Sequence, residues 1–256
     1  MIDPRAIIDP KAEIAAGVEI GPFSVIGPDV TIEAGTVVAS HVVIKGPTII
    51  GRDNQVHQFA SLGDAPQDKK YAGEPTRLEI GDRNIIREYV TINRGTAQDR
   101  GVTSVGNDSL LMAYCHIAHD CCIGDNVIMS NAASLGGHVK IDEWAILSGF
   151  AIVHQFCHIG AHCFLAMGSA ISKDVPPYLL VSGHPALPHG IDKNGLKRRG
   201  FSDGALQSIK RAYKILYKSG LKLEQAQAEI SELANSCEEL RIFSDFFSDC
   251  RRSIIR

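Results

Sequence analysis

The sequence predicts a mainly β protein, a parallel β-helix of six-residue repeats followed by a small C-terminal α-helical domain. Two observations carry this. An aliphatic residue returns at every sixth position over most of the chain, which fits neither the period of about 3.6 of a helix nor the period of about 2 of a sandwich strand. After Pro176-Pro177 that repeat stops, and apolar residues recur at helical spacing instead.

The repeat begins at once. Ile2, Ile8, Ile14, Ile20, Ile26, Ile32, Val38, Ile44, Ile50, Val56 and Leu62 keep one register. Small or β-branched residues two places earlier (Ala12, Val18, Ser24, Val30, Thr36, Val42) suit tight inward packing. Gly21, Gly27, Gly51 and Gly63 follow the aliphatic position, where a corner needs an unusual backbone angle or close packing. Between Leu62 and Ile80 the expected positions hold Asp68 and Glu74, with Pro66 and Pro75 nearby, so a loop over 63–79 leaves the coil. The pattern resumes at Ile80, Ile86 and Ile92. Val105 then stands thirteen residues on, which is not a multiple of six, so a second loop is extruded over 93–104. Polar loops on a rigid scaffold often carry function. From Val105 to Ile171 the period is unbroken. A short polar connection containing Gly and Pro is expected from Tyr178 to about Gly200. Ser202 can then cap a helix with apolar positions Ala205, Leu206, Ile209, Ala212, Ile215 and Leu216, stopped by Gly220. Further helices are expected around Glu224 to Ala234 and Glu238 to Phe247. The division is a β-helix domain over 1–190 and a helical domain over 191–256. The second covers the end of the coil, which would otherwise expose sheet edges.

A chain of 256 residues with net charge −3 gives no hint of a nucleic-acid partner, and no long basic run appears. The start Met1-Ile2-Asp3-Pro4 does not resemble a signal peptide, and no apolar run approaches the roughly 20 residues of a membrane span. A soluble cytoplasmic protein is expected. Cys115 and Cys121, like Cys157 and Cys163, are six apart and fall at equivalent repeat positions, which suits buried small residues better than a disulfide framework.

If three hexads make one triangular coil, residues eighteen apart stack directly. One corner then reads Ala118-His119-Asp120, Gly136-Gly137-His138 and His154-Gln155-Phe156. With neighbouring strands about 4.8 Å apart, His119, Gly137 and Gln155 form one column, with Asp120 and His138 beside it. A single histidine in a turn is more often a structural hydrogen-bonder. A base, an acidic neighbour and amide donors gathered at one edge are the parts of an acyl-transfer site.

The hexapeptide scaffold, Gln67-Asp68-Lys69-Lys70-Tyr71-Ala72-Gly73-Glu74-Pro75-Thr76-Arg77, His116-Ile117-Ala118-His119-Asp120, His154-Gln155 and Gly195-Leu196-Lys197-Arg198-Arg199-Gly200-Phe201 together resemble the UDP-N-acetylglucosamine acyltransferases, the first enzymes of lipid A biosynthesis. The resemblance spans essentially the whole chain. It implies a left-handed β-helix, a homotrimer and active sites between subunits. It implies transfer of an (R)-3-hydroxyacyl group from acyl carrier protein to the 3-hydroxyl of UDP-N-acetylglucosamine, with no cofactor and no metal. By resemblance His119 is the general base, Asp120 orients it, and the Gly137 N–H stabilises the oxyanion. His116, His138, His154 and Gln155 position sugar and phosphates, Asp68 and Lys70 hold the sugar nucleotide, and Arg198 and Arg199 engage phosphate. Met167 occupies the position of an acyl-chain ruler, implying a ten-carbon-class donor. Where the family commonly has histidine, this chain has Asn93. Lys197-Arg198-Arg199 and the face Lys210, Arg211, Lys214 and Lys218 read either as solvated charge or as a docking surface for an acidic carrier protein.

Two other readings use the same residues. A zinc enzyme on this fold, such as a γ-type carbonic anhydrase, would draw ligands from His116, His119, His138 and His154, but Gly137 and Gln155 occupy the column where more ligands would help. A non-catalytic β-helix scaffold would need neither the clustered corner nor the two loops. The related N-acyltransferase of the same pathway carries an N-terminal nucleotide-binding domain for which hexads starting at Ile2 leave no room.

Overall fold

The computed structural model describes every residue except Arg251. Twenty-five short strands, from Ile7–Ile8 to Ala170–Ile171, wind through three parallel sheets in strict rotation. The hexad register is the pairing register: Ile8, Ile26, Ile44, Leu62, Ile92, Ile117, Leu135, Val153 and Ile171 face one another along a single sheet. Steps are eighteen residues except where the loops intervene. Leu62 to Ile92 is thirty and Ile92 to Ile117 twenty-five, so extra chain is expelled without disturbing the ladder. The irregular segments 65–76 and 94–101 leave from the same edge of the triangular coil.

Inward positions fill the core. The aliphatic residues from Ile20 to Ile171 are nearly all buried, each contributing about 1.5–3 kcal/mol for its apolar area. At the position two before, a hydroxyl or thiol closes the next turn: Ser24 Oγ donates to Ala39 O at 2.7 Å, Thr36 Oγ1 to Gly51 O at 2.8 Å, and Cys121 Sγ to Gly136 O at 3.2 Å. All seven cysteines are free thiols. Gly21 and Gly51 keep ordinary backbone angles, and a Cβ there would lie 2.7 Å and 2.6 Å from backbone atoms of the next coil, so close packing is their reason.

The left-handed backbone sits three places after the aliphatic residue, where non-glycine residues such as Phe23, Tyr114, Asp120, His138 and Phe156 take φ near +60°. Each such residue costs about 1–3 kcal/mol. Along one edge the rings Phe23, His41, Phe59, Tyr89 and Tyr114 stack with centroids 4.8–5.4 Å apart. Contacts worth about 0.5–1.5 kcal/mol each offset part of that cost.

The segment from Tyr178 to Gly200, expected to be a polar connection, is instead structured. Leu179–Gly183 pairs parallel with Phe164–Leu165 and extends one sheet, and Ala186–Ile191 returns antiparallel to it. Helix α1 (Lys193–Arg198) follows, capped by Asp192. The hairpin breaks the six-residue period because its return strand runs against the coil. Helices α2 (Asp203–Lys218), α3 (Leu223–Ala234) and α4 (Arg241–Asp249, entered through a 3₁₀ turn) complete the chain. Ser202 Oγ accepts from Ala205 N at 3.1 Å, and the buried face of α2 is Ala205, Leu206, Ile209, Ala212, Ile215 and Leu216. Gly220 ends it with φ +75°. These helices form a second core with Tyr178, while Tyr213, Tyr217 and Ile255 pack onto the core of the coil. The C-terminal tail returns to bridge Asp174 through Ile254. Among the described residues, no helix is long and apolar enough to cross a membrane.

Candidate active site

His119 and Asp120 occupy the turn between the strands His116–Ile117 and Cys122–Ile123, on the edge from which both loops leave. His119 Nδ1 lies 2.8 Å from Asp120 Oδ2. Asp120 is buried, and burial alone would raise its pKa. Hydrogen bonds from His119 and from Thr96 outweigh that and hold it below the usual carboxylate range. Thr96 donates its N–H at 2.9 Å and its hydroxyl at 2.7 Å, and the Asp120 N–H donates to Thr103 Oγ1 at 2.8 Å. An ionised carboxylate only accepts, so Nδ1 of His119 carries a proton, and in the neutral ring it is Nε2 that holds the lone pair. That is the arrangement of a general base oriented by an acid.

Directly above, Gly137 permits the ring to lie where it does. A Cβ on Gly137 would stand 2.6 Å from His119 Cε1 and 2.8 Å from Nε2. The φ of Gly137 is not in the left-handed region, so the demand for glycine here is purely close approach. Its N–H meets no acceptor among the described residues. His138 follows, with Nδ1 2.7 Å from Asp99 Oδ2, its ring stacked on Phe156 at 4.4 Å and edge-on to His119 at 5.0 Å. His116, one strand below, bonds Thr91 Oγ1 at 2.7 Å. Burial and then the neighbouring His119 lower its pKa, which keeps it neutral.

Other expected residues take varied positions. Gln155 and His154 are exposed above Gly137, and Arg252 of the C-terminal tail donates to His154 Nδ1 at 3.0 Å and to Gln155 O at 3.2 Å. Asp68 and Lys70 lie in the first loop, on the same edge as His119 but without contact to it. Asp68 Oδ1 accepts the Lys70 N–H at 3.0 Å. Asn93 is buried and donates to Ala65 O at 2.9 Å, tying that loop to the coil. Arg199 stands on a different edge, its guanidinium 5.6 Å above the Trp144 ring and 3.4 Å from His162 Nδ1. Burial, and then Arg199, push the pKa of His162 down to about 4, so it is neutral and accepts. Arg198 is exposed beside it. Met167 is on the third edge and 76 % exposed. One chain therefore cannot bring Arg198, Arg199 and Met167 to His119.

Sequence reasoning misses Thr96, Asp99, Thr103 and Arg252. The second loop signals itself as an interruption, yet nothing in the hexads says which side chains it presents. Asp99, Asp120, His138 and Phe156 line a groove of about 320 Å³ together with Lys140, His158 and, from α4, Asp249. One ligand atom each from His119, Asp120 and His138 would fall within 4.8 Å of one another. The Asp120 oxygens already accept bonds from Thr96 and His119, which fits orientation of a base better than coordination.

A family model described as UDP-N-acetylglucosamine O-acyltransferase, domain 2, matches residues 174–255, and a bacterial transferase hexapeptide model matches 11–46 and 103–137. The chain is 54% identical over 260 residues to the acyl-[acyl-carrier-protein]--UDP-N-acetylglucosamine O-acyltransferase of Janthinobacterium sp. (strain Marseille), covering all of this chain and 99% of that one. Its structure is similar to the UDP-N-acetylglucosamine acyltransferase of Francisella novicida, with TM-score 0.98 and 46% identity over 100% of this chain and 94% of the other. It is also similar to the Arabidopsis UDP-N-acetylglucosamine acyltransferase, with TM-score 0.86 and 32% identity over the full length of both chains.

Proposed function

This chain belongs to the UDP-N-acetylglucosamine O-acyltransferase family, and from that premise we propose a mechanism in which His119 is the general base. The enzyme acylates UDP-N-acetylglucosamine from acyl carrier protein, a step of lipid A biosynthesis. A sugar hydroxyl is a poor nucleophile, so its proton must leave as it attacks. His119 Nε2 takes the proton of the 3-hydroxyl, and the oxygen attacks the thioester carbonyl of a 3-hydroxyacyl group. The Gly137 N–H receives the developing oxyanion. Collapse expels the carrier thiolate, to which protonated His119 returns the proton. The new ester and the free carrier thiol balance the step. The observation that carries this reading is the 2.8 Å contact between His119 Nδ1 and a buried, ionised Asp120.

His116, His138, His154 and Gln155 position sugar and phosphates in this reading. Asp68 and Lys70 hold the nucleotide from the first loop, and Arg198 and Arg199 reach phosphate from another subunit of a homotrimer. Met167 is the floor of the acyl groove, presented across the same interface, and sets a ten-carbon-class preference. Its exposure in the single chain supports a neighbour covering it.

The test is turnover of UDP-N-acetylglucosamine with a panel of 3-hydroxyacyl carrier proteins, with products weighed by mass spectrometry. The wild-type enzyme yields the sugar nucleotide carrying one hydroxyacyl group. His119→Ala loses about 10²–10⁴-fold in rate while staying folded. Normal turnover by a folded His119→Ala protein sinks the assignment.

A further inference from the structure

We infer that Asp99, in the extruded loop, is a positioning residue acting through His138, so that the site is built from two separate histidine–carboxylate pairs. His138 Nδ1 has two carboxylates to choose from. Asp99 Oδ2 is at 2.7 Å, and Asp120 Oδ2 at 3.9 Å is beyond hydrogen-bond length. The ring plane is set by packing, stacked on Phe156 at 4.4 Å and edge-on to His119 at 5.0 Å. Packing cannot choose between the two nitrogens, and the carboxylate of Asp99 does. It accepts from Nδ1, so Nε2 is the nitrogen left to meet a ligand.

The loop is shaped for this. Thr96 holds Asp120 through both its N–H and its hydroxyl. Gly101 N bonds Thr96 O at 3.1 Å, which folds the loop back so that Asp99 reaches His138, thirty-nine residues on in sequence. One loop thus supplies the support of both histidines. With Asp99 removed, the carboxylate that remains beside His138 Nδ1 is Asp120, at 3.9 Å, the one that orients the base, and the two rings compete for it.

This rests on the proposed contact of His138 with the sugar nucleotide, and the experiment separates the two. Steady-state kinetics are compared for Asp99→Ala, Asp99→Asn, His138→Ala and the double variant Asp99→Ala/His138→Ala. Asp99→Ala raises KM for UDP-N-acetylglucosamine roughly tenfold, the size of a lost charge-assisted hydrogen bond. Asp99→Asn, which keeps an acceptor oxygen without the charge, raises it less. In the His138→Ala background the loss of Asp99 adds nothing. If His138→Ala leaves KM unchanged, the contact of His138 with the substrate is wrong. If His138→Ala raises KM but Asp99→Ala does not, or the two effects simply multiply, the positioning role is wrong. Nitrogen-15 spectra of histidine-labelled enzyme give a readout free of turnover. The His138 ring carries its proton on Nδ1 in the wild type and redistributes it in Asp99→Ala, and an unchanged His138 signal in that variant overturns the inference.

Discussion

At the scale of the residue, the site is a set of close approaches that tolerate no added atom. Gly137 is the sharpest case. Its backbone angle would suit any residue, yet one methyl group there would overlap the imidazole of His119. Gly137→Ala is therefore expected to leave the coil folded and to swing the ring off Asp120, with a loss of about 10²-fold in kcat for a displacement near 1 Å. Circular dichroism and turnover measured on the same preparation check this. Wild-type kcat in that variant shows that the ring has room which the contact distances deny. Asp120 illustrates the complementary rule. A carboxylate with almost no exposure remains ionised because its hydrogen-bond donors, including two on Thr96, outweigh the loss of water.

At the scale of the element, the hexads and helix α2 are legible in the sequence because each is enforced by a period. Ile117 must stand above Ile92 and below Leu135, and Ser202 caps the start of α2 with a side-chain acceptor. Ser202→Ala is expected to lower stability by about 1 kcal/mol, seen as an earlier denaturant midpoint, with turnover unchanged. An unmoved midpoint means that α2 is held by its buried face alone. The hairpin of Leu179–Gly183 and Ala186–Ile191 and helix α1 escape such reading, since an antiparallel return strand shares no period with the coil and α1 is six residues long. The column His119–Gly137–Gln155 is legible because it lies at the repeat distance. Thr96 and Asp99 are not, because an extruded loop reaches its partners by a path that no period encodes. Arg252 reaches His154 for a similar reason, through the return of the tail.

At the scale of the whole molecule, a triangular coil has three edges, and the proposed function uses all of them. His119 is on one, Arg199 on the second and Met167 on the third. In the proposed trimer, Met167→Gly opens the groove and shifts preference toward donors four carbons longer. At about 0.8 kcal/mol per buried methylene the four are worth roughly 3 kcal/mol, or about a hundredfold. Mixed trimers locate the ruler. Subunits carrying His119→Ala are co-assembled with subunits carrying Met167→Gly, so that every working base belongs to a chain with glycine at the ruler. A component of activity selective for the shorter donor is expected, because some of those bases face the intact Met167 of the other subunit. Activity on long donors alone places base and ruler in one chain. The eighteen-residue pairing register has a further consequence, for how such a molecule can change length. Between the second loop and Ile171 the chain behaves as a ratchet with one permitted tooth. Loss of a single residue would turn every later side chain off its face, whereas removal of one complete turn would rejoin the thread in phase. Distances along the axis of this protein are therefore quantised, and the separation between the brace at Thr96 and the proposed substrate contacts above it can be altered only by whole turns.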